Sequence, residues 1–422
     1  MSSLTQRRHK VLIILGFIYI LAGLVLNEWT LGQLLASDGK IEKTSGRLII
    51  LFFQLALISL GVICIVLRKH DFVINMNLVV VTLFLSSPLT GELLIRAAIS
   101  FEFAPFRHAF LYADGYSDSD YFKLLKTWFP ETDISWASNP DLALGWAPEK
   151  SLENPLGIIA GDPYDTVFNN TILFFGDSFV QGQTPMMDKL PQLLDREISS
   201  YKVYNYGVAG YGVDQIYLRF LQTYTAFKEP IIIVGILTTD LDRSVLAIRD
   251  RPKPYFSLEN GKLKLQGTPV NPDIQDWIKQ NPVQIKSYLY AFIRQRMRLL
   301  LAGDDPLAME YKQLEKKKIN KRIIEVLINT VREDKLRLIF VLFYGKGELQ
   351  KVGWRETFLK ELFSASNVPY LDTKQILLHS AATQKVDLDS YYYPGEQGHP
   401  NEAGNRVIAK AIAELLGGLD IY

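Results

Sequence analysis

Ser178 and His399 stand in settings that suit nucleophilic catalysis. Ser178 follows the apolar run Ile172 to Phe175 within Phe175-Gly176-Asp177-Ser178-Phe179-Val180-Gln181-Gly182, where a buried strand is expected to turn into a helix. A hydroxyl at that junction sits beside the unpaired N–H groups of a helix's first turn, which can receive negative charge. Serine is also a preferred N-cap, and a capping role by itself would account for it. His399 lies in Gly395-Glu396-Gln397-Gly398-His399-Pro400-Asn401-Glu402-Ala403-Gly404, a polar loop ahead of a terminal helix. An imidazole there is either an ordinary surface histidine or a base that takes the serine proton. Glu396, three residues earlier, has the chemistry to orient the ring and stabilise its protonated form, as the third member of a triad does.

Elements able to position these groups can be read from the hydrophobic pattern. Ile172 to Phe175, Lys202 to Tyr206, Ile231 to Leu237, Leu336 to Tyr344 and Val368 to Leu371 read as short strands. Between them, Val213, Ile216, Tyr217, Phe220, Leu221, Tyr224 and Phe227 recur at helical spacing, and Asn320 to Glu333 is helix-like. Val407, Ile408, Ala411, Ile412, Leu415 and Leu416 form an apolar stripe closed by Gly417-Gly418. Strands alternating with helices predict βαβ units and a parallel sheet covered on both faces. In such a sheet ligands collect beyond the carboxyl ends of the strands, which is where Ser178 falls.

Three segments carry a resemblance. Gly176-Asp177-Ser178, Asn205-Tyr206-Gly207-Val208-Ala209-Gly210 and Glu396-x-x-His399-Pro400-Asn401 resemble, in order and spacing, the characteristic blocks of the SGNH/GDSL hydrolase superfamily, over roughly residues 170 to 416. The resemblance implies a three-layer α/β/α sandwich and an esterase-like serine mechanism. Ser178 matches the family nucleophile and His399 its base, with Glu396 in the position of the acid. The implied oxyanion hole combines the backbone N–H groups of Ser178 and Gly210 with a side chain from a third block. Two departures stand out. Glu396 is one methylene longer than the family's usual aspartate. Alignment on Asp240 puts Thr239 where the family carries an asparagine oxyanion donor, and loss of one such donor costs about 2.7 to 4 kcal/mol in a well-studied serine protease.

The first hundred residues are of a different kind. Val11 to Leu26 and Leu48 to Leu67 are uncharged and approach the roughly 20 residues that cross ~30 Å of hydrocarbon, so both read as spanning helices. A third run, Phe72 to about Leu89, is interrupted by Asn75, Asn77, Ser86, Ser87 and Pro88; it spans, re-enters or lies at the interface. Arg7, Arg8 and Lys10 before the first run and Arg68 and Lys69 after the second place both ends of that hairpin in the cytoplasm, against a counter-bias from Lys40, Lys43, Arg47 and Arg96. With a third crossing the remainder lies outside, as in a multi-pass protein of a bacterial plasma membrane. The expected division is a transmembrane region of two to three helices over 1–98, an irregular lead-in segment over 99–169, and the SGNH-like domain over 170–422 with an insertion at about 243–318. That insertion holds a hairpin signal at Glu259-Asn260-Gly261 and a basic amphipathic stretch, Val283 to Leu301, whose arginines read as a solvated face before a surface for anionic headgroups.

Composition narrows the partners. With 46 Lys+Arg against 45 Asp+Glu and no long basic run, nucleic acid is not expected. Cys64 is the single cysteine and the five histidines are scattered, so no metal site is predicted, and no phosphate-binding glycine loop calls for a cofactor. The expected substrate is an acylated glycan or lipid-linked saccharide, by the further likeness to membrane-linked SGNH proteins of envelope polysaccharide pathways. Hydrolysis of an O-acyl ester, acetyl first, and transfer of the same acyl group remain open as alternatives. So does a non-catalytic scaffold with a degenerate SGNH domain and envelope-assembly partners.

Overall fold

A computed structural model describes residues 3–35, 41, 44–115, 117–130, 139–159, 170–301, 313–394 and 398–418. The chain divides into two compact units, one of residues 1–128 with 283–313, the other of 129–282 with 314–422.

The first unit opens with α1 (Ser3–Val25), α2 (Glu28–Leu35), α3 (Thr44–Val66), α4 (Asp71–Ser100) and α5 (Ser119–Trp128). Three of these are long and apolar enough to cross a membrane: Gln6–Val25, Thr44–Val66 and Asp71–Ser100. The third apolar run is therefore part of a continuous 30-residue helix, with Pro88 inside it. α1 and α3 pack closely because Gly16 and Gly61 face one another: a Cβ on Gly61 would lie 2.5 Å from the Gly16 carbonyl oxygen, the small-residue contact common between membrane helices.

The second unit begins with a hairpin, β1 (Asn139–Asp141) and β2 (Gly145–Ala147), inside the stretch read as irregular from sequence. Then come β3 (Thr171–Gly176), α6 (Ser178–Gln181), α7 (Leu190–Glu197), β4 (Lys202–Gly207), α8 (Val213–Thr223), β5 (Ile231–Leu237) and α9 (Asp240–Arg243). The insertion supplies the hairpin β6 (Tyr255–Glu259) and β7 (Lys262–Gln266), turning on Asn260-Gly261 with both φ positive, and α10 (Ile274–Gln280). Next, α11 (Tyr288–Leu301) belongs to the first unit, where Glu92 accepts the backbone N–H groups of Tyr288 and Leu289 at its start, at 3.2 and 2.8 Å. The chain ends with α12 (Gln313–Glu333), β8 (Arg337–Phe343), α13 (Trp354–Ala365), β9 (Tyr370–Asp372), α14 (Thr373–Gln384) and α15 (Glu402–Gly418).

Five strands form one parallel sheet in the order β4-β3-β5-β8-β9. Every residue of β3 and β5 is buried, and all of β8 but Arg337, so both faces are covered by helices and the unit is a three-layer α/β/α sandwich. All five strands point the same way, so the loops after β3, β4 and β5 gather at one edge. The order of connection reverses beside β3, which makes that edge the place for a ligand crevice.

Candidate active site

Ser178 is the first residue of α6, directly beyond β3. The N-cap is Asp177, whose Oδ1 accepts the Phe179 N–H at 2.9 Å, so the Ser178 hydroxyl is not used for capping. It lies instead 2.8 Å from His399 Nε2. The two residues are 221 positions apart and meet because His399 precedes α15 in a loop held by antiparallel pairing of Tyr392 with Pro400 and by the Tyr393 N–H, which donates to the His399 carbonyl at 2.9 Å. The Phe179 ring lies 4.5 Å from the imidazole, centre to centre, and fixes one face of it.

Burial holds the His399 imidazole below its ordinary 6.5, with Asp177 pulling upward and Arg243 downward. A neutral imidazole can accept the serine proton through Nε2, as a general base must. Glu396 lies outside the described residues.

The loop after β4 is drawn tightly against α6. A Cβ on Gly207 would sit 2.1 Å from the Gln181 backbone nitrogen, so only glycine permits this approach. Gln181 Oε1 accepts the Ala209 N–H, and Gly210 takes a left-handed φ of 82°. That conformation is ready for glycine and strained for other residues. Among the described residues neither the Ser178 N–H nor the Gly210 N–H donates to a protein acceptor, which leaves both available to a ligand oxygen. From the β1–β2 hairpin, Trp146 Nε1 donates to the Ala209 carbonyl at 3.0 Å, and the Tyr211 hydroxyl donates back to the Trp146 carbonyl. Both side chains are fully buried.

Thr239 follows β5 in the turn before α9, half-buried, and its side chain makes no capping bond. The turn is stabilised by Asp240, whose Oδ2 accepts the Leu237 N–H at 2.9 Å. Sequence reasoning passed over the charged group behind this edge. Arg243 Nη1 lies 2.8 Å from Asp177 Oδ2, 2.6 Å from Asp240 Oδ1 and 3.1 Å from the Tyr211 carbonyl. Burial and repulsion from Asp177 hold Asp240 well above its ordinary carboxylate value of 3.8, with Arg243 pulling down. Burial alone would lower the Arg243 guanidinium, but Asp240 and Asp177 outweigh it and raise it. The only sequence signal was the spacing of two acids and an arginine over Asp240-Leu241-Asp242-Arg243, which a solvated helix would share. Among the described residues no cluster of three metal-ligating side chains is present.

A serine hydroxyl within hydrogen-bonding distance of an imidazole, at the carboxyl edge of a doubly wound sheet, has the geometry in which the imidazole can activate the hydroxyl as a nucleophile. No protein-family model matches the chain, and no curated protein matches it in sequence. Among solved structures it is similar to a lipolytic G-D-S-L family member from Veillonella parvula (15% identity, 59% of this chain, 98% of that one, TM-score 0.34). It is also similar to an α/β hydrolase from the Lake Arreo metagenome (12%, 60% and 97%, TM-score 0.36) and to an acetylxylan esterase from Geobacillus stearothermophilus (13%, 58% and 94%, TM-score 0.34).

Proposed function

We propose that the protein is a membrane-anchored serine esterase of the SGNH/GDSL type acting on O-acyl esters, acetyl first, of a glycan outside the cytoplasm. The observation that carries the proposal is the 2.8 Å contact between Ser178 Oγ and an imidazole nitrogen whose protonation burial disfavours. Ser178 Oγ attacks the acyl carbonyl carbon while its proton passes to His399 Nε2. The carbonyl oxygen takes the negative charge and is met by the N–H groups of Ser178 and Gly210. Collapse breaks the ester bond, the leaving alkoxide takes the proton from His399, and an acyl-serine remains. Water then attacks, giving its proton to His399, and the acid is released as Ser178 Oγ is reprotonated. Attack by a sugar hydroxyl in place of water would make the same intermediate serve acyl transfer. Glu396, in the family acid's position, is the partner assigned to the imidazole, and Thr239 the third oxyanion donor. Three helices able to span a bilayer support the anchored, multi-pass reading and a substrate at the cell envelope.

The test is labelling of detergent-solubilised protein with a fluorophosphonate, with Ser178→Ala and His399→Ala as controls. Labelling of wild type that is lost in both variants is expected; folded wild type that takes no label refutes the reading. In cells, a rise in polymer acetyl content with Ser178→Ala marks hydrolysis and a fall marks transfer.

A further inference from the structure

Asp177 places a carboxylate beside the nucleophile. Its Oδ2 is 3.4 Å from Ser178 Oγ, while Asp177 is completely buried. Left alone, that charge would oppose catalysis in two ways. It would compete with His399 as acceptor of the serine hydroxyl, and it would repel the negative charge that builds on the reacting oxygens. The same Oδ2 is the atom that Arg243 Nη1 contacts at 2.8 Å. Arg243 also reaches the Tyr211 carbonyl, one residue beyond Gly210, and Asp240, one residue beyond Thr239. One guanidinium thus touches each of the three segments expected to supply the oxyanion hole.

We propose that Arg243 is a positioning residue that neutralises Asp177, so that the Ser178 hydroxyl is directed to His399, and that locks the loops after β3, β4 and β5 to one another. The inference rests on the esterase reading above. The arrangement is more than a structural ion pair because Nη1 shares its two hydrogens among three acceptors from three separate segments. The other charged pair acting on the set is Arg249 with Asp250: Arg249 pulls Asp240 down and Asp250 acts on Arg243. Of the two acids that Arg243 contacts, Asp177 is the one that also touches the Ser178 hydroxyl.

The experiment compares fluorophosphonate labelling rates of full-length protein in detergent for wild type, Arg243→Met, Arg243→Lys, Asp177→Asn and Arg243→Met/Asp177→Asn, together with melting curves and the pH profile of labelling. Asparagine keeps the cap on α6, since it is as good an N-cap as aspartate. Arg243→Met is expected to slow labelling by about tenfold to a hundredfold, the range a neighbouring charge produces at this distance in a buried site. Its pH midpoint is expected to move upward, because His399 loses a cation and keeps an anion nearby. Adding Asp177→Asn is expected to restore most of the rate, and Arg243→Lys to retain more of it than Met. Arg243→Met labelling at the wild-type rate overturns the inference, and so does a double variant as slow as Arg243→Met. If Arg243→Met does not fold, the double variant is set against Asp177→Asn: equal rates support charge neutralisation and a slower double overturns it. A folded wild type without label overturns the esterase reading and the role of Arg243 with it, an outcome distinct from failure with an active wild type.

Discussion

Gly207→Ala is the substitution with the most sharply defined consequence. The new methyl would lie 2.1 Å from the Gln181 nitrogen, 2.6 Å from the Val180 carbonyl carbon and 2.8 Å from the Gln181 Cα. Ordinary van der Waals contact for a Cβ begins at 3.4 Å, so relief requires a separation of 3.4 − 2.1 = 1.3 Å between the end of β4 and α6. All three obstructing atoms are backbone, and no side chain can swing aside to supply that space. Overpacking of this kind costs about 1 to 3 kcal/mol. Its effect on rate should be larger than its effect on stability, because α6 carries Ser178 at its first residue and the loop after β4 carries Gly210. A displacement of about 1 Å between reacting groups costs on the order of a hundredfold. Fluorophosphonate labelling and thermal melting of the same preparation read the two effects separately. Gly347→Ala, at a glycine with open space around it, serves as the control. A Gly207→Ala protein that labels at the wild-type rate with an unchanged melting temperature would refute the claimed approach of the two loops.

Three further outcomes follow from the same geometry. Because burial depresses His399 below 6.5, labelling should reach its half-maximum at a pH below that value; a midpoint at or above 6.5 contradicts this. The unfolded chain then binds the extra proton first, so this residue's share of stability is lost as pH falls below 6.5. Trp146→Phe removes the donor to the Ala209 carbonyl and keeps most of the ring, and should lower stability by about 1 to 3 kcal/mol for the orphaned acceptor while slowing labelling; calorimetry showing no loss would contradict it. Lys253→Met leaves Asp214 buried without its cation and should cost about 3 to 5 kcal/mol. Burial already pushes Asp214 up to about 6 despite Lys253, and a raised carboxylate loses stability as pH rises above 3.8, so the deficit should be greatest at neutral pH and narrow in acid; denaturant melts at several pH values check the trend.

The sheet was legible because its strands are short apolar runs set between polar turns. Ile231–Leu237 is found with the expected bounds, and β3, β4 and β8 differ by a residue at one end or both. A parallel strand buried on both faces leaves little ambiguity in hydropathy. The motif blocks singled out Ser178 and His399 together, and the structure places the two side chains in contact across 221 positions. What escaped the reading depends on contacts between distant segments. The hairpin at residues 139–147 has three-residue strands and a proline, too short for any period to register. α5 was missed because its burial includes Asp120, Lys123 and Lys126, charges whose pairing hydropathy cannot see. Arg243 looked like the edge of an insertion because two of its three acceptors, Asp177 and the Tyr211 carbonyl, come from distant turns of chain.

Thr239 shows how these two kinds of information combine. The motif alignment makes it a lost amide donor, a change that could be expected to disturb the turn as well as the chemistry. In the structure the turn uses the backbone carbonyl of Thr239, which accepts the Asp242 N–H, but not its side chain. Its backbone is near helical, φ −75° and ψ −7°, and its side chain caps nothing. The conformation is held from the next residue by Asp240, which accepts the Leu237 N–H, and from behind by Arg243. A turn stabilised by its neighbours can exchange one donor for another without unfolding. The hydroxyl of Thr239 takes no part in capping the turn, which is compatible with the donor role proposed for it; it is shorter than an amide and can also accept. The conformation of the turn after β5 and the side chain at residue 239 are separable in this protein, because the buried Asp177–Arg243–Asp240 set holds the turn without that side chain.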